Sequence, residues 1–386
     1  MIPDSKKPNI LHVVNIFFVI PYFLGKQLPH FTSKGYTEHV ICSPSNELED
    51  YAAHNSFRYK AIPVLRKISP LNDLKAMLGV MKYIVNNKID IVVGHTPKGA
   101  IIAMSAAWLC RVPKRIYFRH GLVYETSHGI KRTLLMTIDR VASLLATKVV
   151  CVSPSVMKRS IEDKLAPAKK QLILNRGTCN GIDLNRFNCD RIDKHRLQQL
   201  RQELGISEDN FVIGYVGRLV NDKGTKELVE AFKTLQKKRS NIKLLLVGMF
   251  EERDHLPTEV IDEISHNSGI IHTGYVSYDI IEYYYSLMSV LVLPSYREGF
   301  PTSVIEASAM ELPVVTTRAT GCIDSIEEGV TGFFTDINTD SIANVLTRLV
   351  DNNDICTTLG KNGRKLVEQH FDEKIVWDEI EKLYKS

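Results

Sequence analysis

No two of the seven cysteines are separated by two residues, and their number is odd. A zinc ribbon, a thioredoxin-type redox pair and a closed disulfide framework are therefore excluded, and reduced thiols in a cytoplasmic chain are expected. Long apolar runs are equally scarce. The nearest, IFFVIPYFL (16–24) and AIIAMSAAWLC (100–110), fall short of the ~20 residues needed to cross a bilayer. The opening MIPDSKKPNILHVV carries no cleavable leader pattern, so any membrane contact is expected to be peripheral. The G-x-G-x-x-G fingerprint is missing, which argues against an NAD-type dehydrogenase. Low-complexity tracts and short repeats are missing too.

A chain of 386 residues is too long for one ordinary core, so two domains are expected. The net charge of +5 hides an asymmetry. Residues 1–200 hold 30 Lys and Arg against 14 Asp and Glu, whereas residues 201–386 hold 19 against 30. Two domains complementing each other across a cleft would account for this. So would a first half that meets an anionic surface or a phosphorylated acceptor. Short apolar runs alternate with amphipathic ones along the whole chain. NILHVVNI (9–16), HVICSPS (39–45), IDIVVGH (89–95), RIYFRHG (115–121), KVVCVS (148–153) and LILNRG (172–177) read as strands. Leu74, Met77, Leu78, Met81 and Ile84 fall at helical spacing between two of them. The pattern restarts with FVIGYVGR (211–218), IKLLLVG (242–248), GIIHTGYV (269–276), SVLVLPS (289–295) and PVVTT (313–317). The expected fold is α/β, with two doubly wound, Rossmann-like parallel sheets facing a deep cleft. The expected domains are 1–190, 191–370 and a terminal helix, 371–386, returning to the first.

Two stretches carry chemistry. In GRLVNDKGTKELVEAF (217–232) a strand ends at Gly217-Arg218, a loop bears Lys223-Gly224, and a helix starts. Free amides and a helix dipole favour an anion there. An ordinary strand-to-helix turn with surface basics would read the same way. In SYREGFPTSVIEASAMELPVV (295–315), Glu298 precedes a helix and Glu306 lies in its first turns. They are either a solvated acidic face or two arms on one ligand. The amides of Phe300, Thr302 and Ser303 are candidate anion donors. Pro301 has none, and Gly299 permits close backbone approach.

EGFPTSVIE (298–306) together with GRLVNDKG (217–224) resembles the retaining GT-B glycosyltransferases of family 4. LVGMFEERDHLP (246–257), GYVS (274–277), TGCIDSIEEGVTGFF (320–334) and GTCNGIDLNRF (177–187) extend the resemblance over nearly the whole chain. The nearest subgroup builds capsular, O-antigen and similar bacterial glycans on polyprenyl diphosphate carriers. The resemblance implies a cytoplasmic enzyme, peripheral on the inner face of the plasma membrane, moving a sugar from a nucleotide sugar, with a UDP-sugar the expected donor, to a lipid-linked glycan. It implies that Arg218 and Lys223 hold the donor diphosphate, Glu306 the ribose hydroxyls and Glu298 the sugar. Gly217 and the Phe300–Ser303 loop would serve the diphosphate or sugar, and Tyr275 and Val276 the base. His120, in RHGLVYE (119–125), would hydrogen-bond the sugar. The basic residues Arg58, Lys60, Arg66 and Lys67, with Lys98 and Arg119 further on, are acceptor or membrane candidates, Lys98 and Arg119 for the acceptor diphosphate. Solvated basics that keep the domain soluble would look the same.

No Asp-x-Asp occurs, so the resemblance implies chemistry without a metal or organic cofactor. Nucleic acid is not an expected partner. Where the family often has a glycine-rich loop after its first strand, NIFFVIPYFLGKQL (15–28) has Gly25 alone, and this apolar loop could face a lipid acceptor. Competing readings are a GT-B phosphorylase or epimerase on soluble sugars, and a non-catalytic nucleotide-sugar-binding protein.

Overall fold

The computed structural model describes residues 7–65, 69–251 and 254–386, so Arg66 and Lys67 lie outside the described residues. The chain forms two units, Met1–Asn180 with Lys374–Ser386, and Gly181–Glu373. The division falls earlier than residue 190 because Ile182 already pairs within the second unit. Its amide donates to the Phe371 carbonyl at 2.8 Å, and its own carbonyl accepts from Glu373 at 3.0 Å. Ile182 and Phe187 both sit in that unit's core.

The first unit has seven parallel strands: β1 (Asn9–Val13), β2 (Thr37–Cys42), β3 (Arg58–Ala61), β4 (Ile91–His95), β5 (Lys114–Arg119), β6 (Lys148–Cys151) and β7 (Gln171–Leu172). Their spatial order is β3-β2-β1-β4-β5-β6-β7. The order reverses between β1 and β4, where crossover helices leave the sheet on opposite faces and open a crevice at the strand ends. β4 is buried along its whole length, as a strand covered on both faces must be. One face is covered by the helices Pro70–Asn86, Pro97–Leu109 and Gly129–Leu145 through Val80, Ile102, Met104 and Met136. Gly99 lets the second of these start hard against β1, since a Cβ there would come within 2.9 Å of the Val13 carbonyl.

The opposite face is closed by the helix Glu373–Lys385, whose Val376, Trp377, Ile380, Leu383 and Tyr384 pack on Ile10, Ile91, Val93 and Ile116. Lys114 donates to the Tyr384 carbonyl at the helix end (2.7 Å), and the Trp377 indole N–H donates to Asn180 (2.9 Å). Glu381 pairs with Lys34 at 2.6 Å and Lys385 at 2.8 Å. Those two partners hold its carboxyl down at about 2.

The second unit has six parallel strands: β8 (Phe211–Val216), β9 (Ile242–Val247), β10 (Ile270–His272), β11 (Val290–Leu293), β12 (Val314–Thr317) and β13 (Gly332–Thr335). Their order is β10-β9-β8-β11-β12-β13. Its switch point lies between β8 and β11, the two strands that lead into the quoted motifs. The helices Thr225–Gln236, Thr302–Ala309 and Asn353–His370 bury Phe232, Ile305 and Val367 in one continuous core.

Candidate active site

In the second unit, β8 delivers Gly217 at φ +151° and then a single turn, Asn221–Lys223. Gly224 follows in the left-handed region at φ +69° and starts the helix Thr225–Gln236 without a side-chain cap. A side chain at Gly224 would collide with the Pro294 carbonyl, so glycine is what lets this loop lie against the chain leaving β11. The two loops are then tied together. Arg297 pairs with Asp222 at 2.6 Å, while the Tyr296 amide (3.0 Å) and the Ser295 hydroxyl (3.2 Å) both donate to the Asp222 carbonyl.

On that base the Lys223 ammonium donates to the Glu298 carboxylate. Both side chains are about one-sixth exposed, at 17% and 15%. Glu298 is held from behind by its amide, which donates to the Thr320 carbonyl at 2.8 Å. Arg218 reaches outward, half-exposed, and pairs with Glu251. The helix Thr302–Ala309 begins at Pro301 with no side-chain cap, which leaves the first amides of that helix, at Thr302 and Ser303, available to an anion. Phe300 turns back onto Phe371, with ring centroids 5.2 Å apart.

Glu306 lies on the inner face of the same helix, buried, and accepts from the Tyr285 hydroxyl at 2.7 Å. Burial pushes its carboxyl up, opposed by Tyr285, Arg186 and Tyr278. The two glutamates therefore stand in different settings, one ion-paired near solvent and one desolvated. Tyr275 is well exposed beyond β10 and Val276 is partly buried beside it. The sequence reading missed Asp222 and Arg297, which brace the loops, and Tyr285, which holds Glu306. Asp222 and Arg297 both lie inside the quoted stretches; Tyr285, on the short helix Ile281–Tyr285, has no local signal.

In the first unit, His120 follows β5 and stacks face to face on Phe23, with centroids 3.7 Å and planes 4° apart. Its Nε2 lies 2.9 Å from Nδ1 of His95. Burial lowers its pKa to about 3, so the ring is neutral. Phe23 belongs to the apolar loop after β1; Ile20 and Leu24 of that loop are buried, and Phe18 is exposed.

Arg119 requires a correction. It is wholly buried and cannot meet an acceptor. Its guanidinium binds Asp139 (2.5 Å), Ser143 (2.7 Å), Ser160 (2.6 Å) and Gln171 (3.1 Å). The reason is strand alternation: neighbours in a strand point to opposite faces, so Arg119 and His120 diverge. Lys98, at the start of the helix Pro97–Leu109, is largely buried and paired with Asp73.

Two doubly wound α/β units, the second with a basic, glycine-bearing loop and an acid–base pair at its switch point, define a nucleotide-binding α/β architecture. Residues 198–366 match the family described as glycosyl transferases group 1, and residues 9–153 match the glycosyl transferase 4-like family. The chain is 35% identical to the capsular polysaccharide biosynthesis glycosyltransferase CapM of Staphylococcus aureus over 382 residues, 99% of this chain and 98% of that one. It is 27% identical to the UDP-Gal:alpha-D-GlcNAc-diphosphoundecaprenol alpha-1,3-galactosyltransferase of Escherichia coli over 350 residues, covering 89% and 88% of the two chains. The crystal structure of HepE from Anabaena in complex with UDP and glucose superposes with a TM-score of 0.82 at 20% identity, covering 98% of this chain and all of that one. The chain belongs to the glycosyltransferases of the GT-B fold.

Proposed function

We propose that this protein is a retaining glycosyltransferase that moves a sugar from a UDP-sugar to a polyprenyl-diphosphate-linked glycan during cell-surface polysaccharide synthesis. The observation that carries the reading is the meeting of Lys223 with Glu298 at a sheet switch point, beside two helix starts that no side chain caps. A cation and free amides suit a diphosphate, and a carboxylate suits sugar hydroxyls. The Escherichia coli relative, whose name gives a UDP-sugar donor and a diphosphoundecaprenol acceptor, supports the substrate classes.

In this reading the donor displaces the Lys223–Glu298 pair. Lys223 and Arg218 turn to the diphosphate, Glu298 to the sugar hydroxyls, Glu306 to the ribose, and Tyr275 and Val276 to the base. The anomeric carbon–oxygen bond to UDP breaks while the acceptor hydroxyl bonds to the same face. The hydroxyl proton passes to the departing phosphate oxygen. Negative charge grows on the diphosphate, and pre-placed cations and helix starts lower the barrier there without a metal. His120 hydrogen-bonds the transferred sugar.

The acceptor side rests on the helical face of the first unit. Leu71, Leu74, Leu78, Leu134 and Leu144 are exposed there, with Lys75, Lys82 and Lys131 among them. Among the described residues no helix is long and apolar enough to cross a membrane. Apolar side chains ringed by lysines suit peripheral docking on an anionic leaflet. The test is a thermal-shift panel of UDP-, GDP- and ADP-sugars with and without EDTA, followed by anomeric analysis of the product by NMR. Stabilisation by UDP-sugars that survives EDTA, and a product with the donor's anomeric configuration, are expected. An inverted product or a strict metal requirement would overturn the mechanism.

A further inference from the structure

His120 is the outer end of a buried chain of rings. Its Nε2 meets Nδ1 of His95 at 2.9 Å, Nε2 of His95 meets Nδ1 of His12 at 3.0 Å, and Nε2 of His12 meets the Glu38 carboxyl at 3.1 Å. His12 and His95 come from β1 and β4, the strands at the switch point, and Glu38 from the neighbouring β2; each is at most 2% exposed. Phe23 and Phe118 stack on the rings and wall the chain from water.

The chemistry of neutral imidazole links the ends. A neutral ring has one N–H and one bare nitrogen, so it donates on one side and accepts on the other. His95 is neutral, because burial and the neighbouring histidines hold its pKa well down. The hydrogen bonds on its two sides must therefore run in the same direction, and the direction is decided at Glu38. Among the described residues, His12 alone stabilises a negative charge on that carboxyl, and burial pushes its pKa up. Tyr36 and Tyr384, its other titratable neighbours, are neutral phenols whose own pKa values burial raises. The second oxygen of Glu38 is buried without a partner. A lone buried carboxylate is costly, so the Glu38–His12 pair keeps one proton between them and is neutral overall. A proton on Oε1 would be buried without an acceptor, so one proton lies between Oε2 and His12 Nε2 and the other is on His12 Nδ1. That Nδ1–H donates to His95 Nε2, and His95 Nδ1–H then donates to His120 Nε2.

We propose that Glu38, His12 and His95 form a positioning relay that holds His120 as its Nδ1–H tautomer, so that its outward nitrogen is a hydrogen-bond donor to the substrate sugar. This tautomer is the minor form of free histidine, so its appearance would demand a cause. The last clause rests on the glycosyltransferase reading; the relay itself does not.

Long-range 15N–1H correlation on the full chain labelled with 15N-histidine reads the tautomer directly, with no ligand. His120 is expected to show a protonated Nδ1 and a bare Nε2. An Nε2–H form, or an averaged mixture, would overturn the relay even if no variant folds. His12→Phe is expected to shift His120 toward Nε2–H and to lower kcat for UDP-glucose or UDP-N-acetylgalactosamine hydrolysis about tenfold, the weight of one hydrogen bond, at unchanged KM. A His12→Phe spectrum identical to the parent's would also sink it. Hydrolysis of neither donor alongside the Nδ1–H signature would count against the glycosyltransferase reading and leave the relay standing.

Discussion

Replacing Lys223 by alanine tests the donor site most sharply. The substitution removes a cation proposed to face the departing diphosphate, and in the free protein it strips Glu298 of its partner. One pre-placed electrostatic donor is worth ~3–4 kcal/mol in the transition state. At 1.36 kcal/mol per factor of ten, kcat should fall by about 10²–10³. The stability cost is smaller. Exposed pairs contribute under ~1 kcal/mol and a broken buried pair costs ~3–5 kcal/mol. With both side chains about one-sixth exposed, a cost of roughly 1–2 kcal/mol follows, or a Tm lower by about 2–8 °C for a unit of this size. Initial rates of donor turnover at 25 °C, with Tm from calorimetry, separate the two effects. Glu298→Ala should lose turnover as well, and the double variant should lose less than the sum because the pair acts as a unit. A Lys223→Ala protein that retains turnover within threefold would refute the assignment of Lys223 to the leaving group.

Arg119→Met should cost ~3–5 kcal/mol by stranding Asp139 in the core, seen as a lower Tm, while the donor KM at 25 °C stays unchanged. Gly224→Ala forces a side chain into the left-handed region and into the Pro294 carbonyl. It should cost about 2 kcal/mol or more and weaken UDP binding measured by calorimetry. Glu381 links the terminal helix to pH. Because its folded pKa is depressed to about 2, its contribution is full above the ordinary carboxylate value and fades as pH falls from about 4.5 toward 2. Fluorescence of the buried Trp377 should report loosening of that helix in this window, and Glu381→Gln should remove that part of the pH dependence.

Much of the architecture was legible before folding. Buried parallel strands must be apolar along their length, so β1, β4, β8, β9 and β11 stood out as short runs, and the intervening helices announced a doubly wound sheet. β3 did not stand out. Arg58–Ala61 is an exposed edge strand, and with no face to bury it carries no apolar period. β13, Gly332–Thr335, is an edge of the second sheet and was read only within a stretch that resembles the family. The loops at 217–224 and 295–303 were legible as anion-binding candidates because glycine, basic residues and helix starts lie together in the chain.

What the chain order determined by itself was local: which segments are strands, which turns need glycine, and which family the motifs resemble. Tertiary structure decided every partnership across distance. It joined Lys223 to Glu298, hid Arg119 on the far side of β5 from His120, and drew Glu38, His12, His95 and His120 into one line. The physical reason is that hydrophobic periodicity specifies which face of an element is buried, whereas ion pairs and hydrogen bonds need a partner within about 3 Å. Only the packing of distant strands fixes that distance.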